Sequence, residues 1–162
     1  MNDMKTTETD IRFMREAIRL ADESVAHGGG PFGAVIVKDG KILVGASNSV
    51  TLDNDPTAHA EVNAIRQACR ELGTFDLKGS VIYASCEPCP MCLGAIYWAG
   101  IERIYYANTR ADAAAADFAD GFIYEDMGKP LAERTLPIIP LLRDEALHTF
   151  RRWQEKADKT VY

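Results

Sequence analysis

The middle of the chain carries side chains that can converge on a metal ion. It holds one imidazole, His59, and two thiols three positions apart, Cys89 and Cys92. Imidazole nitrogen and thiolate sulfur are the donors that zinc prefers, usually in a tetrahedral arrangement. Three protein ligands leave one position open, which distinguishes catalytic zinc sites from closed structural ones. Since His59 and Cys89 lie far apart along the chain, any fold of this sequence has to bring these two stretches together.

Glu61 lies two positions after the predicted histidine ligand. A carboxylate is a hard donor beside two soft sulfurs, so we predict that it carries protons instead of binding the metal. Zinc lowers the pKa of a bound water from ~15.7 to about 7, and a neighbouring carboxylate can pass protons to a ring nitrogen and to a departing amine. An H-x-E segment followed by P-C-x-x-C is typical of zinc-dependent nucleobase deaminases. The pattern therefore predicts hydrolytic removal of ammonia from an amino-substituted heterocycle.

Cys86 leaves an alternative open, because Cys86 and Cys89 also form a C-x-x-C pair. If Cys86 joined His59, Cys89 and Cys92 on the metal, the site would be closed and the zinc would only stabilise the fold. The neighbouring carboxylate would then have no role. Cys69 falls on the apolar face of a predicted helix, so we interpret it as a small buried hydrophobic residue.

The charge balance argues against a nucleic-acid partner. The chain has 18 Lys and Arg against 24 Asp and Glu, a formal net charge of −6, and no long basic run. Binding to nucleic acid depends on Lys and Arg that neutralise phosphates, so a small neutral substrate suits this composition better. A hydrophobic fraction of 47% is that of an ordinary globular protein. Residues 1–162 are enough for one domain with its own core, and a single domain is predicted.

Cysteine usage and the N-terminus both favour the cytoplasm. Three of the four cysteines lie within seven positions, which is typical of metal binding and not of a disulfide framework. The first residues lack the apolar core of a signal peptide. No apolar run approaches the roughly 18 residues needed to cross a bilayer, so no membrane association is expected.

Hydrophobic periodicity and turn residues predict an α/β layer structure. Asp39-Gly40, between two Val/Ile-rich runs, predicts a two-residue hairpin turn, after which strands and helices alternate. Pro137 and Pro140 indicate that the last strand lies at an edge of the sheet. The predicted helices cover residues 10–27, 57–72, 89–97 and 143–156, and the predicted strands cover residues 33–38, 41–45, 81–85, 104–107 and 136–142.

Three segments resemble the cytidine and deoxycytidylate deaminase superfamily. They are Gly29–Gly40, which begins Gly-Gly-Pro-Phe-Gly; Asp55–Glu61, which ends Thr-Ala-His-Ala-Glu; and Cys86–Ala99, which begins Cys-Glu-Pro-Cys-Pro-Met-Cys. More narrowly, the sequence is similar to the bacterial guanine deaminases through Asp117–Tyr124 and the final Lys159–Tyr162. The resemblance covers nearly the whole chain after the polar N-terminal tail.

The resemblance implies a fold, an activity and partners. The fold is the superfamily's three-layer α/β/α sandwich around a five-stranded mixed sheet. The activity is hydrolysis of the free base guanine to xanthine and ammonia, with one Zn²⁺ per active site on His59, Cys89 and Cys92 and with Glu61 as proton carrier. The expected partners are a small purine and a second copy of the chain, in a homodimer that exchanges the C-terminal segment, about residues 143–162.

The resemblance also implies further site residues. Asp120 is expected to act in catalysis beside Glu61. Tyr162 is expected to close the pocket of the second copy. The residues expected to contact the substrate are Phe32, Asn48, Ala60, Trp98 and Tyr162.

Two other functions stay open at the level of sequence. tRNA adenosine deaminases share the H-A-E and P-C-x-x-C segments, but they hold a flipped base with its flanking nucleotides. They usually carry a basic C-terminal helix, whereas residues 143–162 have five Lys and Arg against four Asp and Glu. The other alternative is a non-enzymatic protein in which zinc only stabilises the fold.

Overall fold

The computed structural model describes residues 6–162, so the first five residues of the expected polar tail lie outside it. The chain divides into two units, Met1–Gly121 and Phe122–Tyr162. In the first unit the helices are α1 (Glu8–Ala26), α2 (Val50–Asp53), α3 (Ala60–Leu72), α4 (Pro90–Trp98) and α5 (Arg110–Ala115). The strands are β1 (Gly33–Lys38), β2 (Lys41–Ser47), β3 (Ser80–Cys86) and β4 (Arg103–Asn108).

The strands form a mixed sheet in the order β2-β1-β3-β4. β1 is antiparallel to both β2 and β3, and β3 runs parallel to β4. The turn between β1 and β2 has positive φ at both of its residues, 51° at Asp39 and 72° at Gly40. Two positive φ values suit the right-handed twist of a tight hairpin, and the predicted hairpin is confirmed.

Helices cover both faces of the sheet. On one face, Phe13 and Ala17 of α1 pack with Val35, Val37 and Tyr83. Because β1 is buried on both faces, its sequence is an unbroken apolar run and does not alternate with polar residues. The predicted α/β/α sandwich is confirmed. The core on the other face, with α3 and α4, includes Ala34, Ile36, Val44, Ala60, Ala64, Ala68, Ile82 and Ile96.

Gly33 determines how closely α1 approaches the sheet. A Cβ atom at this position would lie 2.2 Å from the carbonyl oxygen of Ala17 and 2.6 Å from the amide nitrogen of Ala21. No side chain fits there, so the backbone of α1 contacts β1 directly. The loop that follows α1 is thereby held beside Asn48, whose carbonyl accepts a hydrogen bond from the Ser24 hydroxyl of α1 at 3.1 Å.

The second unit contains most of α6 (Gly121–Met127), a 3₁₀ turn (Leu131–Glu133) and α7 (Arg143–Glu155). Asp126 closes the loop after α6 by accepting hydrogen bonds from Lys129 Nζ and from the backbone N–H of Thr135. None of the helices within residues 6–162 is long and apolar enough to cross a membrane. The large apolar residues that this unit exposes include Phe122, Met127, Leu136, Ile139, Leu141, Leu142, Phe150, Trp153 and Val161.

The prediction of a fifth strand is wrong for the described chain. The sheet has four strands, and residues 136–142 form no strand pairing. Pro137 and Pro140 lack the N–H groups that a strand ladder needs. The apolar residues between and beside them, which suggested a buried strand, are exposed: Ile139 and Leu141 each show about four-fifths of their surface.

Asp10 joins α1 to the sheet. Its carboxylate accepts hydrogen bonds from Thr7 in a capping box and from the hydroxyl of Tyr83 on β3. These hydrogen bonds, that of the Thr7 side chain foremost, hold the pKa of Asp10 below its usual value. A carboxyl whose pKa is lowered by folding stabilises the protein above its unfolded pKa of about 3.9, and this contribution is lost as the pH falls through the folded pKa.

We expect Asp10→Asn to lower the free energy of unfolding at neutral pH by about 1 kcal/mol, the order of one net hydrogen bond, because the carboxylate accepts from Thr7 and Tyr83. The deficit should shrink as the pH falls from about 4 through the lower pKa of folded Asp10, because the carboxyl is protonated first in the unfolded chain and then in the folded protein. Urea unfolding over this pH range measures both effects. Asp22→Asn, at an exposed aspartate of the same helix, is the control. A deficit that stays constant in acid would contradict the linkage.

Candidate metal centre and active-site cavity

The starts of two helices bring the predicted metal donors together. His59 is the N-cap residue of α3 and Cys89 is the N-cap residue of α4, and neither side chain makes a capping hydrogen bond. Cys92 lies in the first turn of α4. His59 Nδ1 lies 3.6 Å from Cys89 Sγ and 3.5 Å from Cys92 Sγ. The three donor atoms all lie within 4.8 Å of one another.

These distances fit a tetrahedral zinc ion. With zinc–nitrogen bonds of about 2.0 Å and zinc–sulfur bonds of about 2.3 Å, tetrahedral geometry separates a nitrogen and a sulfur ligand by about 3.5 Å. The separations from His59 to Cys89 and Cys92 match this value. Hydrogen bonding with Cys92, and then with His59, lowers the pKa of Cys89 to about 4, whereas the hydrogen bond with Cys89 raises the pKa of Cys92. Cys89 is therefore the thiol that ionises first, and Cys92 has to release its proton when metal binds. The three residues can therefore hold zinc as they stand.

A short turn places His59 at the start of α3. The carbonyl of Asp55 accepts a hydrogen bond from the backbone N–H of Ala58 at 3.0 Å. Asn63, one turn into α3, donates through Nδ2 to the carbonyl of Ala58 at 3.3 Å and to that of Ser47 at 3.0 Å. Asn63 thus connects the turn before His59 to the end of β2, a role that the sequence analysis did not assign to it.

Glu61 lies beside the donors but outside the three-residue group. Its carboxylate is buried, and Oε2 accepts a hydrogen bond from Cys92 Sγ at 3.4 Å. Burial raises the pKa of this carboxyl. Cys86 also lies outside the group, because its Sγ contacts the carbonyl oxygen of Thr109 at 3.8 Å. Within residues 6–162 the arrangement is three donors with a carboxylate alongside, and not a four-ligand site that includes Cys86.

A cavity of about 800 Å³ is lined by His59, Glu61 and Cys89. Apolar and small residues make up most of its wall, and Glu87 and Asp117 add two more acidic side chains. No lysine or arginine lines it in the part of the chain that the structure describes. The residues predicted for the site that also line the cavity are Phe32, Asn48 and Asp120.

Hydrogen bonds and the close approach of two glycines fix the position of Asn48. Its N–H donates to the carbonyl of Phe32 at 3.0 Å, and its side-chain Oδ1 accepts from the backbone N–H of Val50 at 3.2 Å. A Cβ atom at Gly29 would lie 2.6 Å from the Asn48 carbonyl, and one at Gly30 would lie 3.0 Å from its amide group. Because Val50 needs an acceptor, the amide oxygen is engaged and the amide NH₂ is the group left for the cavity.

The segment after α5 brings Asp120 into the cavity wall. The chain turns through Asp117, which has a left-handed φ of 69°. Phe118 then packs edge-on against Phe32, with ring centroids 5.0 Å apart. Asp120 Oδ1 is buried and has no hydrogen-bond partner in the described protein, and burial raises the pKa of this carboxyl. Since buried polar atoms in proteins are nearly always paired, Asp120 Oδ1 is suited to contact a ligand.

Three residues expected at the substrate do not line this cavity. Ala60 is fully buried as the first residue of α3. Trp98 lies at the end of α4 with 75% of its surface exposed, and Tyr162 belongs to the second unit with 80% exposed. Their substrate contacts stay predictions.

Residues 7–108 match the family model of the cytidine and deoxycytidylate deaminase zinc-binding region. The chain belongs to this family. It is 53% identical to a guanine deaminase of Bacillus subtilis over 93% of its own length and 97% of the relative's. The crystal structure of that species' guanine deaminase superposes with a TM-score of 0.91 at 51% identity, covering 97% and 99% of the two chains. A tRNA-specific adenosine deaminase of Haemophilus influenzae is 32% identical over 96% of this chain and 92% of the relative.

The residues that the sequence analysis missed support the site through contacts distant in sequence. Phe118 packs on Phe32, and Glu87 pairs with Arg110 at 3.0 Å. An aromatic residue or a Glu-Pro turn is common in any sequence, so no local pattern identifies these contacts.

We expect the purified chain to bind one zinc ion and Cys92→Ser to lose most of it, because a hydroxyl is a much poorer zinc ligand than a thiolate. Elemental analysis after dialysis measures the ratio of zinc to protein. Cys86→Ser is the matched control, since this buried thiol lies outside the donor group. Loss of zinc from Cys86→Ser would instead indicate a closed four-ligand site.

Proposed function

We propose that this protein is a zinc-dependent hydrolase that deaminates guanine to xanthine, with one zinc ion held by His59, Cys89 and Cys92. The observation that carries the proposal is the group of three donors beside a buried carboxylate, Glu61, at a cavity whose wall includes His59, Cys89 and Glu61. The choice of guanine is supported by 53% identity to a guanine deaminase over nearly the whole chain.

Glu61 moves the protons of the reaction. When bound at the three donors, zinc supplies a Lewis acid that lowers the pKa of water from ~15.7 to about 7. Glu61 accepts one proton from the attacking water and donates it to N3 of the base as the bond from oxygen to C2 forms. It then transfers the second proton, from the new hydroxyl, to the amino nitrogen. The C2–N bond breaks, and guanine plus water becomes xanthine plus ammonia.

Asp120, Asn48 and Phe32 orient the base. The unpaired Oδ1 of Asp120 accepts from an N–H donor of guanine, which satisfies a buried oxygen that the protein leaves unpaired. The NH₂ of Asn48 donates to an acceptor atom of the base, because its Oδ1 is engaged by Val50. Phe32 offers an apolar ring surface, stabilised by Phe118.

The charge of the cavity favours a free base over a nucleic acid. Glu61, Glu87, Asp117 and Asp120 are the charged residues of its wall apart from the histidine, and no cation lines it within the described residues. A tRNA adenosine deaminase has to hold phosphates beside the flipped base, and phosphates are held by Lys and Arg. An acidic wall repels phosphates and accepts a neutral base with several N–H donors.

The active unit is a homodimer in which the C-terminal segment, about residues 143–162, is exchanged between two copies. Support comes from the exposed apolar residues of the second unit, among them Leu141, Phe150 and Val161. Large exposed apolar patches mark contact surfaces. In this dimer Tyr162 closes the cavity of the second copy, Trp98 contacts the substrate, and Ala60 contributes its backbone. The cysteine ligands have to stay reduced, which suits the cytoplasm.

The zinc-loaded wild-type chain should release ammonia from guanine, and not from adenine, cytosine, nucleosides or tRNA. Glu61→Gln should keep its zinc and lower kcat by about 10²–10⁴-fold, the usual contribution of general acid–base catalysis. Glu71→Gln, at an exposed position of the same helix, is the control. A coupled ammonia assay and elemental analysis measure the two quantities. Wild-type turnover by Glu61→Gln would contradict the mechanism, and ammonia from tRNA alone would contradict the substrate.

Asn48→Asp tests the direction of the hydrogen bond to the base. A carboxylate still accepts from Val50 N, so the loop should keep its structure, but it has no NH₂ to donate. We expect kcat/KM for guanine to fall about 10- to 100-fold, which corresponds to the loss of one ligand hydrogen bond of about 1.4–2.8 kcal/mol. Asn54→Asp, at an exposed position after α2, is the control. An unchanged kcat/KM would show that the amide does not donate to the substrate.

A further inference from the structure

The ends of two parallel strands connect the metal loop, residues 87–89, to another part of the cavity wall. β3 ends at Cys86, which pairs with Asn108 at the end of β4. One step further, the backbone N–H of Glu87 donates to the carbonyl of Asn108 at 2.8 Å. The two chains therefore leave the sheet side by side. One leads directly to Cys89, and the other leads through α5 to Asp120.

Glu87 binds the first residue of α5 with both carboxylate oxygens. Oε2 accepts from the backbone N–H of Arg110 at 3.2 Å, and Oε1 lies 3.0 Å from Arg110 Nε. The first four N–H groups of a helix have no acceptor within the helix, and Glu87 satisfies one of them. Thr109 and Asp112 satisfy others through a capping box. Only a quarter of the Glu87 side chain is exposed, so water screens the pair incompletely.

α5 itself offers little that would hold it in place. It has six residues, four of them alanine, and none is buried. A helix of this length is not stable on its own in water. Its position therefore depends on contacts at its two ends. Glu87 lies at the start, and the packing of Phe118 on Phe32 follows after the end.

We propose that Glu87 is a positioning residue, which fixes the location of Asp120 in the cavity by holding the start of α5 against the metal loop. The proposal rests on the function proposed above for Asp120. The charges of Arg110 and Glu87 both act on Asp120. Burial is the main cause that raises the pKa of Asp120, the charge of Arg110 lowers it, and the charge of Glu87 raises it.

The test is a double-mutant cycle between Glu87→Ala and Asp120→Asn in the zinc-loaded full chain, with kcat/KM for guanine as readout. We expect Glu87→Ala to lower kcat/KM about tenfold (about 1.4 kcal/mol) and to leave the zinc content unchanged. Glu87→Gln should lower kcat/KM less, because its side chain still offers an acceptor for the backbone N–H of Arg110. In the Asp120→Asn background the same change should have less than about a twofold effect, because interacting residues are not additive. Glu102→Ala is the matched control, since Glu102 also accepts a backbone N–H, that of Gly79, at 2.9 Å.

Equal losses in both backgrounds, or a parallel loss of zinc, would overturn the proposal. Glu87 would then act on Cys89 or on the fold as a whole. Amide hydrogen exchange adds a readout independent of turnover: exchange should rise over residues 110–118 in Glu87→Ala and stay at the wild-type level in Glu102→Ala. Unchanged exchange over residues 110–118 would also overturn the proposal. Absence of guanine turnover in the wild-type chain would instead contradict the proposed function and leave the exchange measurement to decide the role of Glu87.

Discussion

The convergence of His59, Cys89 and Cys92 is the constraint on which the rest of the structure depends. The donors lie at the starts of two helices, α3 and α4, which therefore have to face each other. Small residues on the buried face of α3, such as Ala64 and Ala68, let that helix lie close to the strands. The direct contact of α1 with β1 on the other face completes the sandwich that holds this geometry. The packing of the core therefore positions the three donor side chains around one point.

The chemistry of the site follows from what surrounds these donors. A carboxylate that is buried and adjacent to the metal ligands can exchange protons with a substrate without competing solvent. The wall adds acidic groups and an amide whose oxygen is engaged, so it presents both acceptors and donors to a planar base. Nothing of this kind is needed in a site where zinc only stabilises a fold, because such sites are closed by a fourth ligand.

The metal donors, Glu61, the hairpin and the α/β layer structure could be predicted from the sequence, because each depends on a local pattern: ligand spacing, a two-residue turn or hydrophobic periodicity. The three-layer sandwich is expected only from the resemblance to the deaminase superfamily. The remaining features depend on contacts between distant residues. The apolar run at residues 136–142 has the composition of a strand, but its prolines lack the N–H groups for pairing. Glu87 and Arg110, or Phe32 and Phe118, are too common as residue types to indicate their pairing. Asn63 resembles any polar residue of a helix until its three acceptors are seen.

Along the chain, the metal donors and one part of the cavity wall lie on opposite sides of the end of β4. The match to the family model ends at Asn108, the last residue of β4, and includes the metal donors and Glu61. The segment from Thr109 to Asp120, which closes one part of the cavity, follows that boundary. A change of length or charge between Thr109 and Asp120 would therefore alter the wall that a substrate meets, while the residues that hold the metal stay in place.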